Sequence, residues 1–105
     1  MEIVWSEPAY DSLTDVLDYT IEAFGLRQMV IMEDTIIDSI EQLSLYPKSC
    51  PVIAEISNEE KEYRKLVVTK EVSVIYRVED ASAIIMFVWD VRRSLHNIYY
   101  FFNHL

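Results

Sequence analysis

Hydrophobic residues in the first half of the chain recur at helical spacing. After a short β-like run at Glu2–Trp5, Ser6 and Glu7 precede Pro8, a combination typical of a helix start with Ser6 or Glu7 as the cap. The first apolar stripe covers about four turns and consists of Tyr10, Leu13, Leu17, Ile21 and Phe24. Gly25 follows the stripe, which predicts that it closes the helix in a left-handed conformation.

A second helical stripe begins directly after Gly25. Its members are Met29, Met32, Ile36, Ile40 and Leu43. The stripe stops before Pro47, because proline cannot continue a helix. Two amphipathic helices with almost no linker predict an antiparallel helical hairpin.

The pattern becomes alternating in the second half of the chain. Runs at Tyr63–Thr69, Val72–Val78 and Ala83–Trp89 predict three strands, and their short connections require antiparallel neighbours. Residues 47–62 are predicted to form an irregular connection that contains one short strand at Val52–Ile56. In the aromatic tail, a helical face of Leu95, Ile98, Phe102 and Leu105 predicts a short C-terminal helix. The whole chain, residues 1–105, is therefore predicted to be one α+β domain.

Composition indicates a packed domain. The chain is 51% hydrophobic with a single glycine, and no apolar run approaches the roughly 18 residues that cross a bilayer. The first ten residues lack the pattern of a signal peptide, and the lone Cys50 cannot form an internal disulfide. These features predict a cytoplasmic protein.

The net charge of −9 is unevenly distributed. Residues 1–62 carry fourteen acidic and three basic side chains, a local charge of −11, whereas residues 63–105 carry four and six, or +2. Affinity for nucleic acid is built from Lys and Arg, so any anion site belongs in the second half.

Motifs with strong chemical meaning are missing from the sequence. There is no glycine-rich phosphate loop, CxxC pair or HExxH, and His96 and His104 lie on the tail, so no metal or cofactor is expected. What remains is a set of arginines on or after the predicted strands: Arg64, Arg77, Arg92 and Arg93. A guanidinium holds phosphate or carboxylate with two parallel hydrogen bonds. The alternative is that these arginines pair with the acids of the helices.

The order of these features resembles the RelE/ParE toxin family of type II toxin–antitoxin systems. The residues that carry the resemblance are a first strand ending at Trp5, a hairpin opening SEPAYDSL, the strands Tyr63–Val68 and Val74–Val78, and Trp89–Arg93. The resemblance implies a three- to four-stranded antiparallel sheet backed by the hairpin. It also implies a growth-inhibiting, plasmid-stabilising toxin that a cognate antitoxin neutralises.

The family divides by target, and the resemblance therefore leaves alternatives. RelE-like members cleave messenger RNA in the ribosome, whereas ParE-like members bind DNA gyrase. In an RNA-cleaving member, Arg64 and Arg92 would hold the scissile phosphate, with His96, Tyr99 or Glu55 as general acid or base. RNA-cleaving members are rich in lysine before the arginine strand, but acids stand there in this chain: Glu55, Glu59, Glu60 and Glu62.

These acids repel RNA and favour a ParE-like toxin that acts by binding a protein such as gyrase. The alternatives are a ribosome-dependent endoribonuclease and a non-toxic relative that retains a partner-binding role. Consecutive aromatic residues of the tail cannot all face inward. We therefore predict that an antitoxin lays an amphipathic segment over the tail or the sheet edge, in a homodimeric toxin or a heterotetramer with antitoxin, with Arg93, Ile98, Tyr100, Phe101 and Phe102 as the partner-binding residues. The alternative is that the apolar sheet covers the tail within the monomer.

Overall fold

A helical hairpin and a four-stranded sheet make up the two layers of the fold. The structure, a computed structural model, describes residues 1–93 except the side chain of Arg93. The strands are β1 (Glu2–Trp5), β2 (Tyr63–Val67), β3 (Val72–Glu79) and β4 (Ser82–Asp90), and the helices are α1 (Glu7–Phe24) and α2 (Leu26–Glu41). The α+β class is confirmed, and the predicted C-terminal helix lies outside the described residues.

The sheet has the strand order β1-β4-β3-β2. The last three strands are antiparallel, as their short connections predict, but β1 pairs with β4 in parallel. The sheet is therefore mixed rather than wholly antiparallel. Parallel pairing requires a long crossover, and the whole hairpin and two strands lie between β1 and β4.

Local signals set both ends of α1. The Ser6 hydroxyl accepts a hydrogen bond from the Ala9 backbone N–H at 3.2 Å, which caps the helix start. Gly25 ends the helix with φ 92° and ψ 171°, and its N–H donates to the Ile21 carbonyl at 3.0 Å. The positive φ agrees with the prediction, but ψ is extended, so Gly25 turns the chain directly into α2.

The face of α1 that packs on the sheet is not its most apolar stripe. The buried residues are Ala9, Ser12, Val16 and Thr20, whereas Tyr10, Ile21 and Phe24 of the predicted stripe are exposed. Small side chains allow the helix to lie close to the sheet. The apolar stripe of α1 is therefore only partly buried.

The second helix and the connection after it complete the core. Ile36, Ile40 and Leu43 are buried, as the second stripe predicts. The predicted strand at Val52–Ile56 is wrong: Val52 makes one isolated bridge with Arg64, and Ala54–Ile56 forms a 3-10 turn.

A β-bulge in β4 changes which of its residues face the helical layer. Tyr76 pairs with Ile85 and Ile75 pairs with Phe87, so Met86 is the additional residue. Ile85 and Val88 consequently both face the helical layer. Phe87 faces the opposite side, where a second small cluster contains Tyr63 and Ile75 as its other buried residues.

No helix within residues 1–93 is long and apolar enough to cross a membrane.

Candidate functional site

Arg64, the first of the two predicted phosphate-binding arginines, fastens the connection 47–52 to β2. Its Nη1 donates to the carbonyl oxygens of Lys48 and Cys50 at 3.2 and 2.6 Å, and its Nη2 contacts Glu62 Oε1 at 2.9 Å. The side chain is only 14% exposed. Its donors are therefore directed at atoms of the same chain, and little of the guanidinium faces solvent.

Tyr76 on β3 pairs with Arg64 on β2 and is hydrogen-bonded to the same connection 47–52. Its hydroxyl donates to the Pro47 carbonyl at 2.6 Å. Burial raises the pKa of Tyr76 above its ordinary value, and a hydrogen bond with the Cys50 side chain adds to the effect. The phenol therefore stays neutral and is a poor general acid or base near neutral pH.

Arg92, the second predicted arginine, lies in a 3-10 turn after β4 and forms a buried ion pair. Its Nε and Nη2 donate to the two carboxylate oxygens of Asp90, each at 2.9 Å, and its Nη2 lies 3.3 Å from the Thr20 hydroxyl. The guanidinium carbon also lies 4.8 Å from the ring centre of Tyr19. Asp90 is fully buried and the Arg92 side chain is 17% exposed.

These contacts fix the charge of Arg92 as well as its position. The hydrogen bonds to Asp90 raise the pKa of Arg92, so the guanidinium remains protonated. A two-point Arg–carboxylate pair uses the geometry by which arginine would otherwise recognise phosphate.

The two arginines do not meet in a common site. Arg64 is paired with Tyr76, whereas Asp90, which holds Arg92, is paired with Val72. These two positions on β3 are four residues apart, roughly 13 Å at about 3.3 Å per residue. Arg64 lies on β2 and Arg92 follows β4, and these two strands flank β3 on opposite sides. One phosphate group cannot bridge positions with this separation.

Each sheet arginine is paired with an acid two residues away, not with the acids of the helices. The ion pairs are Arg64–Glu62, Arg77–Glu79 and Arg92–Asp90, with N–O distances of 2.9 to 3.0 Å. Arg77 and Glu79 share a face of β3, since residues i and i+2 of a strand point the same way, whereas Glu62 just precedes β2 and Arg92 follows β4 in a 3-10 turn.

The remaining predicted site residues are only partly described. Glu55 lies exposed in the 3-10 turn Ala54–Ile56, Glu59 and Glu60 are exposed in the segment before β2, and the exposed Glu62 contacts Arg64. The predicted tail residues lie outside the described residues: His96, Ile98, Tyr99, Tyr100, Phe101 and Phe102. Within residues 1–93, no group of three His, Cys, Asp or Glu side chains is arranged to hold a metal ion.

Two surface concavities border the hairpin. The larger, of about 370 Å³, lies between the hairpin, the β2–β3 turn and Arg92, with Phe24, Ile31 and Met32 in its wall. The smaller, of about 240 Å³, lies between α1 and α2 and is lined by Thr14, Leu17, Asp18, Ile21, Met29 and Glu33. Neither concavity follows from the sequence pattern, because each depends on which face of α1 packs on the sheet.

A helical hairpin on a mixed sheet, with a buried Asp–Arg pair at the end of β4, defines a small two-layer α+β domain. The family model of the ParE toxin of type II toxin–antitoxin system, parDE, matches residues 3–95, and the chain belongs to this family. The predicted RelE/ParE resemblance is therefore confirmed on its ParE side.

Solved structures agree with the fold. A chain of the chromosomal ParDE TA system from P. aeruginosa superposes with a TM-score of 0.73 at 17% identity, covering 87% of this chain and 96% of that one. A copper-bound L66S mutant toxin from Helicobacter pylori gives a TM-score of 0.58 at 14% identity, covering 86% and 93%. At these identities, the likeness concerns the fold alone. The chain has no significant match among curated proteins.

Proposed function

We propose that this chain is the growth-inhibiting toxin of a toxin–antitoxin module that binds a protein target such as DNA gyrase in the cytoplasm. A cognate antitoxin neutralises it. Membership of the ParE toxin family supports the toxin role. The observation that carries the choice of a protein target over RNA is that Arg64 and Arg92 are both committed to contacts within the chain.

Electrostatics at Arg64 support the same choice. An RNA phosphate would have to displace Glu62 from Arg64, and the segment before β2 adds three further exposed acids: Glu55, Glu59 and Glu60. These carboxylates raise the free energy of bringing a phosphate backbone to the site. A protein target needs no such approach, because it can contact apolar and acidic surface together.

Expression in growing cells tests the choice of target. We expect arrest by the wild-type chain with intact messenger RNA and an induced DNA-damage response, measured by primer extension and a damage reporter. Ribosome-dependent RNA cleavage that His96→Ala or Tyr99→Phe abolishes would overturn the proposal in favour of the endoribonuclease. Absence of arrest, with the protein folded and soluble, would favour the non-toxic relative.

The antitoxin interface is proposed for the aromatic tail. The neighbouring reading frame should encode a small DNA-binding protein that restores growth when it is co-expressed. Deleting residues 95–105 should abolish co-purification of the two proteins, since the deletion removes Ile98, Tyr100, Phe101 and Phe102. Unchanged co-purification would refute the tail as the antitoxin site. Arg93→Ala tests the charged residue before the tail in the same assay.

A further inference from the structure

The outward cleft of the helical hairpin has an apolar floor that the fold leaves partly exposed. Its floor is formed by Leu17 and Ile21 of α1 and by Met29 of α2. None of the three belongs to either core cluster of the described residues, and Ile21 is 39% exposed. We call this surface the hairpin cleft.

The hairpin cleft exists because α1 uses another face against the sheet. The buried residues of α1, from Ala9 to Thr20, pack against β4, so Leu13 of the apolar stripe still contacts the core whereas Leu17 and Ile21 lie outside it. Burying an aliphatic side chain stabilises the folded state by about 1.5–3 kcal/mol. Apolar side chains that stay in solvent do not contribute this free energy to folding. Such an exposed stripe is typical of a surface that another chain covers.

The rim of the cleft is negatively charged. Asp18 stands on the α1 side and Glu33 on the α2 side, both exposed and neither ion-paired within the described part of the chain. Between Glu7 and Glu41 the hairpin has nine acidic side chains and one basic side chain, Arg27. The field at the cleft is therefore strongly negative.

The apolar floor and the negative rim together determine what kind of molecule can bind in the cleft. A second copy of this chain would bring a hairpin of the same charge, and its acids would repel those of the first. Nucleic acid is excluded for the same reason. A groove between two antiparallel helices accepts a third helix, whose apolar face fills the floor while its charges meet the rim.

We propose that the hairpin cleft binds an amphipathic, Lys/Arg-bearing helix of the toxin's protein target. This inference rests on the proposed function, which assigns the antitoxin to the tail and leaves the hairpin for the target. Apolar side chains of that helix contact Leu17, Ile21 and Met29, and its cations pair with Asp18 and Glu33.

Peptide binding to the full-length chain tests the surface without knowledge of the target. The probe is a labelled 18-residue peptide with leucine on one helical face and lysine on the other, and its control carries glutamate in place of lysine. We expect the lysine peptide to bind and the glutamate peptide not to bind, measured by fluorescence anisotropy. Ile21→Ser should weaken binding about tenfold, as loss of one apolar anchor does.

Matched variants separate the cleft from general acidity. Leu45→Ser changes an apolar residue that is 72% exposed and lies outside the cleft lining, so binding should change less than about twofold. Asp18→Asn with Glu33→Gln should weaken binding more than Asp38→Asn with Glu41→Gln, although each pair removes two charges. Equal effects of cleft and control variants, with thermal unfolding unchanged, would overturn the proposal.

Growth arrest links the cleft to the target. Ile21→Ser should relieve arrest while Leu45→Ser does not, and both should still co-purify with the antitoxin. Full arrest by folded Ile21→Ser would overturn the cleft while leaving the proposed function intact. Loss of antitoxin binding with arrest retained would assign the cleft to the antitoxin and overturn the target as occupant. No arrest by wild type would overturn the proposed function, and with it the target.

Discussion

The Asp90–Arg92 pair provides a sharp test of whether these arginines are structural. Arg92→Ala removes two charge-assisted hydrogen bonds of 2.9 Å from a fully buried carboxylate. Breaking a buried pair costs about 3–5 kcal/mol. Because the Arg92 side chain is 17% exposed, we expect a loss near the lower end, about 3 kcal/mol in the free energy of unfolding.

A double-mutant cycle isolates the interaction. Asp90→Asn keeps the shape of the side chain and removes its charge, so the double variant Asp90→Asn/Arg92→Ala should be less destabilised than the sum of the two single variants. We expect a coupling energy of about 2 kcal/mol, within the range of contacting groups. Urea unfolding followed by tryptophan fluorescence gives the free energies, since Trp89 directly precedes the pair.

Arg77→Ala is the matched control, because its partner Glu79 is 56% exposed. An exposed pair of this kind contributes about 0–1 kcal/mol. If Arg92→Ala costs no more than Arg77→Ala, and the cycle is additive, then Arg92 is not held by Asp90. That result would restore Arg92 as a guanidinium available to an anion and would undermine the choice of a protein target.

Three further changes test the fold. Ser12→Ala removes the hydroxyl that accepts from the buried Val88 N–H at 2.8 Å, so stability should fall by about 1–3 kcal/mol, and more than in the Ser39→Ala control, in denaturant unfolding. Gly25→Ala should lower the free energy of unfolding by about 1–3 kcal/mol, because a residue with a Cβ is strained at a φ of 92°. The added Cβ meets no atom within 4 Å, so the backbone strain is the whole effect. An unchanged melting temperature would contradict this. Burial raises the pKa of Tyr76, so its stabilising contribution is complete below the unfolded pKa of about 10 and declines as pH rises above it. Tyr76→Phe should remove that alkaline decline in a pH series of unfolding, and a decline of equal slope in the variant would assign it to other groups.

The sequence was sufficient for elements whose signals are local. Helical spacing, the Ser6 cap and the single glycine define the hairpin, and alternating residues with short turns define the last three strands. The parallel pairing of β1 and the bulge at Met86 depend on contacts distant in sequence, and no local pattern encodes them. The face of α1 that packs on the sheet could not be predicted for another reason. Its close approach to the sheet selects small residues such as Ala9 and Ser12, which carry little hydrophobic signal.

The positions of the two predicted arginines follow from the sequence, but their surroundings do not. Arg64 lies on β2 and Arg92 just after β4, as predicted, yet their partners are acids two positions away in the chain rather than acids of the helices. The sequence contains the spacing, because each arginine has an acid two positions away, but it does not show that the two side chains meet. Their separation across the sheet depends on strand order, which spacing along the chain does not contain.

The parallel β1–β4 pairing has a consequence for the time at which the toxin becomes complete during synthesis. Each of its residue pairs, from Glu2↔Ser82 to Trp5↔Ile85, joins positions 80 residues apart, so the first strand waits unpaired until β4 has left the ribosome. The small buried face of α1 waits with it, since its main partner is the same strand. Contacts of this range make folding slow relative to local hairpins. A nascent chain of this topology therefore leaves an interval in which an antitoxin already present in the cell meets the toxin before the finished fold exists.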